Sequence, residues 1–221
     1  MSNEFVGHPL LENTSESKID INQIFEKNKA LISVFPGSRS SEINVLMPIL
    51  LNFIKLMNNN YQDFIYIFHS TREHLNLIKN YLESKSIKNY EIISDEKIKS
   101  HTLKKSIFAV TKSGTVSLEV CKLKIPSIIL YKMNILNYLI VRMLIKVKFA
   151  NIINIAADEE VIPELLQSKC NAKNIFKNVS FFINNPEKMK EQINKTQLIL
   201  DKLKSTTPSA ETASRSLIKY L

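Results

Sequence analysis

The sequence predicts an α/β fold, a doubly wound parallel sheet with helices on both faces. Short apolar runs alternate with helical stretches through residues 31–147, the pattern of successive βαβ units. Several of those runs are continuously apolar, as strands buried on both faces require. Two of only three glycines, Gly37 and Gly114, stand where a strand ends and a helix begins, and parallel sheets bind ligands at those carboxyl ends.

The elements follow in order. Val6–Leu11 reads as a short extended piece, Glu12–Asp20 as a polar linker and Ile21–Asn28 as a brief helix. Leu31–Phe35 is a buried strand stopped by Pro36-Gly37. Ile43, Leu46, Met47, Leu50, Ile54 and Met57 then recur at helical spacing, with a kink expected at Pro48. Phe64–Phe68 is a strand, and Ser70-Thr71-Arg72-Glu73 has the form of a capping box opening a helix to about Leu82. Tyr90–Ile93 is a strand, Asp95–Lys104 a helix and Ile107–Thr111 a strand; Ser113-Gly114-Thr115 turns into a helix ending near Lys122. Pro126–Tyr131 is a strand and Leu136–Val147 a strongly apolar helix. Beyond Asn154 the pattern predicts helices over Glu159–Ser168, Ala172–Asn184, Pro186–Lys204 and Ala210–Tyr220.

With 221 residues, 44% hydrophobic and 23% charged, the chain has material for a sizeable core, and disorder, collagen and a disulfide scaffold are excluded. Cys121 and Cys170 lie far apart without metal-ligand spacing, which fits a reducing cytosol. A net charge of +9 suggests an anionic partner. Arg39, Arg72, Arg142 and Arg215 are scattered singly, however, without the interleaved aromatics of a nucleic-acid surface. Met1–Leu11 lacks the basic and apolar regions of a signal peptide, and the apolar stretch Met133–Val141 is too short to span a bilayer. The expected location is cytoplasmic.

The two glycine turns carry the candidate chemistry. In Pro36-Gly37-Ser38-Arg39-Ser40-Ser41-Glu42, Gly37 permits close approach of a ligand, and Ser38, Ser40 and Ser41 are candidate capping hydroxyls. The helix start offers N–H groups and the positive end of a dipole, and Arg39 can grip a phosphate. A plain strand-to-helix turn with a solvated arginine fits the same residues. Lys112-Ser113-Gly114-Thr115 repeats the arrangement, and Glu119 lies four residues beyond Thr115 on the same helix face. That offset is about 5–6 Å, near the distance from a nucleotide's phosphate to its ribose diol. Glu119 as a solvated dipole partner is the other reading. None of His8, His69, His74 and His101 has an evident carboxylate partner, and no catalytic histidine is assigned.

The ordered series Gly7-His8-Pro9-Leu10, Phe35-Pro36-Gly37-Ser38-Arg39 with Glu42-Ile43, Ser113-Gly114-Thr115 with Leu118-Glu119, Pro126, Tyr131-Lys132-Met133, Lys146-Val147-Lys148, Asn154 and Val161 to Gln167 closely resembles the C-terminal half of lipid-A-disaccharide synthase. That family consists of glycosyltransferases with two Rossmann-like domains, the GT-B class. The resemblance implies a Rossmann-like, donor-binding domain over residues 21–204, with 1–20 an interdomain crossover and linker and 205–221 a C-terminal helix packing back or onto a partner. It implies transfer of diacylglucosamine from its UDP donor to an acylated glucosamine phosphate acceptor, releasing UDP, with no metal or cofactor. Arg39 would contact the diphosphate, Gly37 and Ser38 would flank it, Ser113, Gly114 and Thr115 would form the phosphate loop, and Glu119 would hold the ribose. Asn154 and Gln167 match polar positions near the donor, though polar helix caps fit them as well.

The chain also departs from that pattern. An N-terminal Rossmann half, expected to carry the catalytic residues, is not in this sequence. Ile152-Ile153-Asn154 replaces Leu-Pro-Asn, and Asp158-Glu159 replaces a glycine-arginine pair, placing two acids where an anionic donor would meet a base. Lys112 stands where a small residue is usual. Leu136–Val147, with Arg142 and Lys146, reads either as a core helix or as a contact with an anionic membrane surface. The leading expectation is therefore the donor-binding half of such a synthase, peripheral on the inner membrane, completed by a separate half or a homo-oligomer. A non-catalytic UDP-binding subunit and a UDP-sugar epimerase are the alternatives.

Overall fold

The computed structural model describes residues 29–133 and 148–204, together with Glu211, Ser214 and Ile218. Within them lie six strands: β1 (Ala30–Val34), β2 (Phe64–His69), β3 (Tyr90–Ile93), β4 (Ser106–Lys112), β5 (Ser127–Tyr131) and β6 (Glu164–Leu166). They form one sheet in the order β3-β2-β1-β4-β5-β6, every pair parallel. The chain winds outward from β1 in one direction and from β4 in the other, so the topological switch lies between them. A crevice opens there beyond the strand ends.

Alternation along β1 sorts the two faces. Ile32 and Val34 join a core with α1 (Ser40–Asn60), α2 (Leu75–Ser84) and α6 (Ala172–Asn184). On the opposite face Leu31 packs with Ile98 of α3 (Glu96–Lys105), and Phe35 with Leu103 and with Val120 of α4 (Thr115–Lys122). Ile129 meets α4, α5 (Ile152–Ala157) and α7 (Pro186–Leu203) on that side. Helix α1 is long and apolar enough to cross a membrane by composition, yet it is a core helix burying Ile43, Leu46, Met47, Leu50 and Ile54. It continues through Pro48, which sits on the exposed face, where water can satisfy the carbonyl that loses its partner.

Two expectations are corrected. Glu159–Ser168 is not a helix: α5 ends at Ala157, β6 covers Glu164–Leu166 and a 3-10 turn covers Gln167–Lys169. Pro163 cannot donate within a helix, and its carbonyl instead accepts from Ile129 N–H at 2.9 Å, drawing the segment onto the edge of β5. The capping box at Ser70 does not form either. Arg72–His74 is a 3-10 turn without a side-chain cap, because the Ser70 hydroxyl donates to Thr71 O and the Thr71 hydroxyl pairs with His74 Nδ1. The expected Val6–Leu11, Ile21–Asn28 and Leu136–Val147 elements lie outside the described residues, as does most of Ala210–Tyr220, of which Glu211, Ser214 and Ile218 are helical.

Candidate functional site

A cleft of about 220 Å³ lies at the switch point, lined by the turns after β1, β2 and β4 and by the first part of α3. Both glycines adopt backbone that favours glycine, with φ of 122° at Gly37 and 147° at Gly114. A Cβ at Gly37 would also stand 2.7 Å from Glu42 Cβ, whereas Gly114 has open space around it.

The first turn already holds an anion, the chain's own Glu42. Its Oε2 accepts from the Ser38 N–H at 3.0 Å, its Oε1 is bonded to Lys112 Nζ, and Arg39 lies 3.9 Å away. Burial pushes the Glu42 carboxyl up, but the Lys112 and Ser38 hydrogen bonds and the two cationic charges outweigh it and hold it below its ordinary value. Arg39 itself is 81% exposed and free to turn toward a ligand. The expected serine caps are absent: Arg39 is the N-cap of α1 without a side-chain cap, and Ser40 Oγ bonds His74 Nε2 at 2.9 Å.

The second turn is braced from behind. Ser113 Oγ donates to Ala150 O at 2.7 Å, and Ser117 Oγ donates to Gly114 O while accepting from Asn151 Nδ2. The buried Glu164 carboxylate in turn accepts from the Ala150 and Asn151 N–H groups. Thr115 is exposed at the mouth of α4. One turn on, Glu119 Oε2 lies 3.2 Å from Lys99 Nζ, which is also 3.2 Å from Glu96. Burial lowers the Lys99 pKa, and the two carboxylates more than reverse this, so the ammonium is held charged.

Sequence reasoning does not single out Lys99, Glu164 or Asn151. Lys99 and Glu119 sit on different helices, and Glu164 falls in a segment whose pattern predicts a helix. Gly37, Ser38, Ser113, Gly114 and Thr115 do line one cleft. Asn154 does not join them. It is fully buried, its Oδ1 accepting from the Val161 and Ile162 N–H groups and its Nδ2 donating to Ile162 O and Glu164 Oε1. It positions the β6 approach. Gln167 lines a second cavity of about 710 Å³, together with Lys148, Asp158 and Glu159. Its Oε1 accepts from Met133 N–H at 3.0 Å, and its Nε2 has no partner among the described residues. Asp158 keeps left-handed backbone at φ 51°, and Glu159 is answered by Lys195 at 3.6 Å. The histidines near the cleft bond to hydroxyls rather than carboxylates, His69 to Ser33 and His74 to Ser40 and Thr71.

The family model described as lipid-A-disaccharide synthetase matches residues 1–217. The chain belongs to that family. It is 33% identical over 204 residues to the lipid-A-disaccharide synthase of Rickettsia typhi, covering 90% of this chain and 53% of the relative. The Sulfurihydrogenibium synthase is 29% identical over 234 residues, 97% of this chain and 59% of its own. The chain therefore spans just over half the length of these curated relatives. Its fold is shared with a UDP-GlcNAc 2-epimerase from Neisseria meningitidis (TM-score 0.57, 15% identity, 83% of this chain and 47% of the other). It is also shared with the C-terminal domain of a group 1 glycosyl transferase from Francisella tularensis (TM-score 0.51, 11% identity, 78% and 85%). The expected Rossmann-like sheet of the GT-B class is thus the observed one.

Proposed function

We propose that this chain is the donor-binding half of a lipid-A-disaccharide synthase, holding a UDP-linked diacylglucosamine in the switch-point cleft. The observation that carries the reading is the pair of glycine turns facing one cleft, with a carboxylate one helical turn beyond the second. The diphosphate would lie between the turns, competing with Glu42 for the Ser38 N–H and for Lys112, while exposed Arg39 swings onto it. Glu119, steadied by Lys99, would accept from the ribose hydroxyls.

In the reaction, an acceptor hydroxyl forms a new bond to the donor's anomeric carbon, the bond from that carbon to the diphosphate breaks, and UDP leaves with the electron pair. The acceptor's proton passes to a base outside this chain's cleft. This chain's residues stabilise the charge that grows on the leaving diphosphate. Leu136–Val147, with Arg142 and Lys146, would hold the site near an anionic membrane carrying the acylated substrates.

Calorimetry with UDP tests the binding half of this reading, and UDP release tests the reaction when both sugar substrates and the N-terminal half of a full-length relative are supplied. Turnover only in that mixture is expected. UDP binding without turnover there would support the non-catalytic subunit, and sugar epimerisation without transfer would support the epimerase. Liposome binding that survives Arg142→Glu with Lys146→Glu would remove the membrane contact.

A further inference from the structure

We infer that Glu164 is the positioning residue of the second glycine turn, setting the geometry on which a phosphate at Ser113-Gly114-Thr115 depends. The inference rests on the donor-site reading above and extends it to a carboxylate that lines the second cavity rather than the cleft.

Glu164 is the first residue of β6 and pairs with Ile129 of β5, whose N–H also donates to Pro163 O. The side chain is therefore launched from the sheet, a stiffer base than a loop. The residue is 6% exposed. Its Oε2 accepts from Ala150 N–H at 2.8 Å, and its Oε1 accepts from Asn151 N–H at 2.9 Å and from Asn154 Nδ2 at 2.8 Å. None of these donors can turn acceptor. Two are main-chain groups, and the Asn154 amide is oriented by the Val161 and Ile162 N–H groups that its Oδ1 receives. Only a carboxylate, with acceptors on both oxygens, meets all three.

Two struts run from Ala150 and Asn151 to the turn. Ala150 O accepts from Ser113 Oγ at 2.7 Å. Asn151 Nδ2 donates to Ser117 Oγ at 2.7 Å, and that hydroxyl gives its own proton to Gly114 O at 2.7 Å. Asn151 Oδ1 accepts from Ile153 N–H, which fixes this amide's orientation as well. Gly114 has no side chain to pack, open space around it and a φ of 147°. The struts hold the turn where packing does not, and both begin at one carboxylate. A shift of the 150–151 loop carries Ser113, Gly114 and the mouth of α4 with it.

The chain contains one Ser-Gly pair, Ser113-Gly114. Serine carrying ¹³C at its carbonyl and glycine carrying ¹⁵N therefore give a single coupled amide signal, that of Gly114. The signal should move in Glu164→Gln, which sets an NH₂ group against one of the three donors, and UDP affinity by calorimetry should fall about tenfold. Gln192→Met is the control. The Gln192 side chain is as deeply buried but bonds Ser127 and Val161, so its loss should lower stability and leave the Gly114 signal in place. An unmoved signal or an unchanged affinity in folded Glu164→Gln, or the same movement in Gln192→Met, overturns the inference and leaves the donor site standing. Should Glu164→Gln not fold, hydrogen exchange in the wild type decides. Coupling is reciprocal, so UDP at the turn should slow exchange of the Ala150 and Asn151 N–H groups about threefold or more; unchanged exchange with UDP bound overturns the inference. A wild type that does not bind UDP overturns the donor-site reading and this role together.

Discussion

Replacing Glu42 by glutamine isolates the internal anion of the first turn. The carboxylate is 14% exposed and its partner Lys112 23% exposed, so solvent screens the pair only in part. The Glu42→Gln side chain would keep one acceptor for the Ser38 N–H and lose the charge facing Lys112 and Arg39. The loss at pH 7 should be about 1–2 kcal/mol, the lower part of the range for a charge-assisted bond. The Glu42 carboxyl is held below its ordinary value of 4.5 in the folded chain. Its contribution is therefore complete above that value and disappears as pH falls through the lower, folded value. Urea denaturation followed by circular dichroism at pH 7, 5 and 3 measures this. Wild type and Glu42→Gln should differ at pH 7 and 5 and converge on further acidification. Equal stabilities at pH 7, or a gap that survives full protonation, would mean that the Glu42 charge does not stabilise the turn.

Arg39→Ala should leave denaturation within about 0.5 kcal/mol of wild type, because its ion pair is long and exposed. The same variant should weaken UDP binding by about 1–3 kcal/mol by calorimetry, and unchanged affinity would remove Arg39 from the site. Asn154→Ala leaves the Val161 and Ile162 N–H groups without their acceptor. It should cost about 2–4 kcal/mol in denaturant unfolding; a small loss would mean the loop finds other partners. Asp158→Gly relieves a left-handed residue at φ 51° and should raise stability by about 0.5–1 kcal/mol. A thermal melt that falls instead would show that the aspartate contributes contacts of its own.

Much of the sheet is legible in the sequence because fully buried strands and amphipathic helices differ in period. Asp95 before α3 and Pro186 at the start of α7 mark their helices by local chemistry, which tertiary structure leaves intact. β6 is not legible. Val161-Ile162 and Leu165-Leu166 fit a helix as well as a strand, and only pairing with β5 decides between them. In the cleft, Gly37 and Gly114 are readable because positive φ leaves few alternatives to glycine. The Glu42–Lys112 pair spans 70 residues, and Lys99 reaches Glu119 from another helix, so no local pattern announces either. Asn154 is readable as a polar residue that matters but not by direction, since its burial follows from the β6 approach.

A nucleotide diphosphate held between the two glycine turns is what the proposed function requires. A crystal structure of the chain with UDP tests it directly. Phosphate oxygens are expected against the Gly37-Ser38 and Ser113-Gly114-Thr115 turns, with the ribose hydroxyls on Glu119. UDP seated instead in the second cavity, beside Gln167 and Asp158, would contradict it.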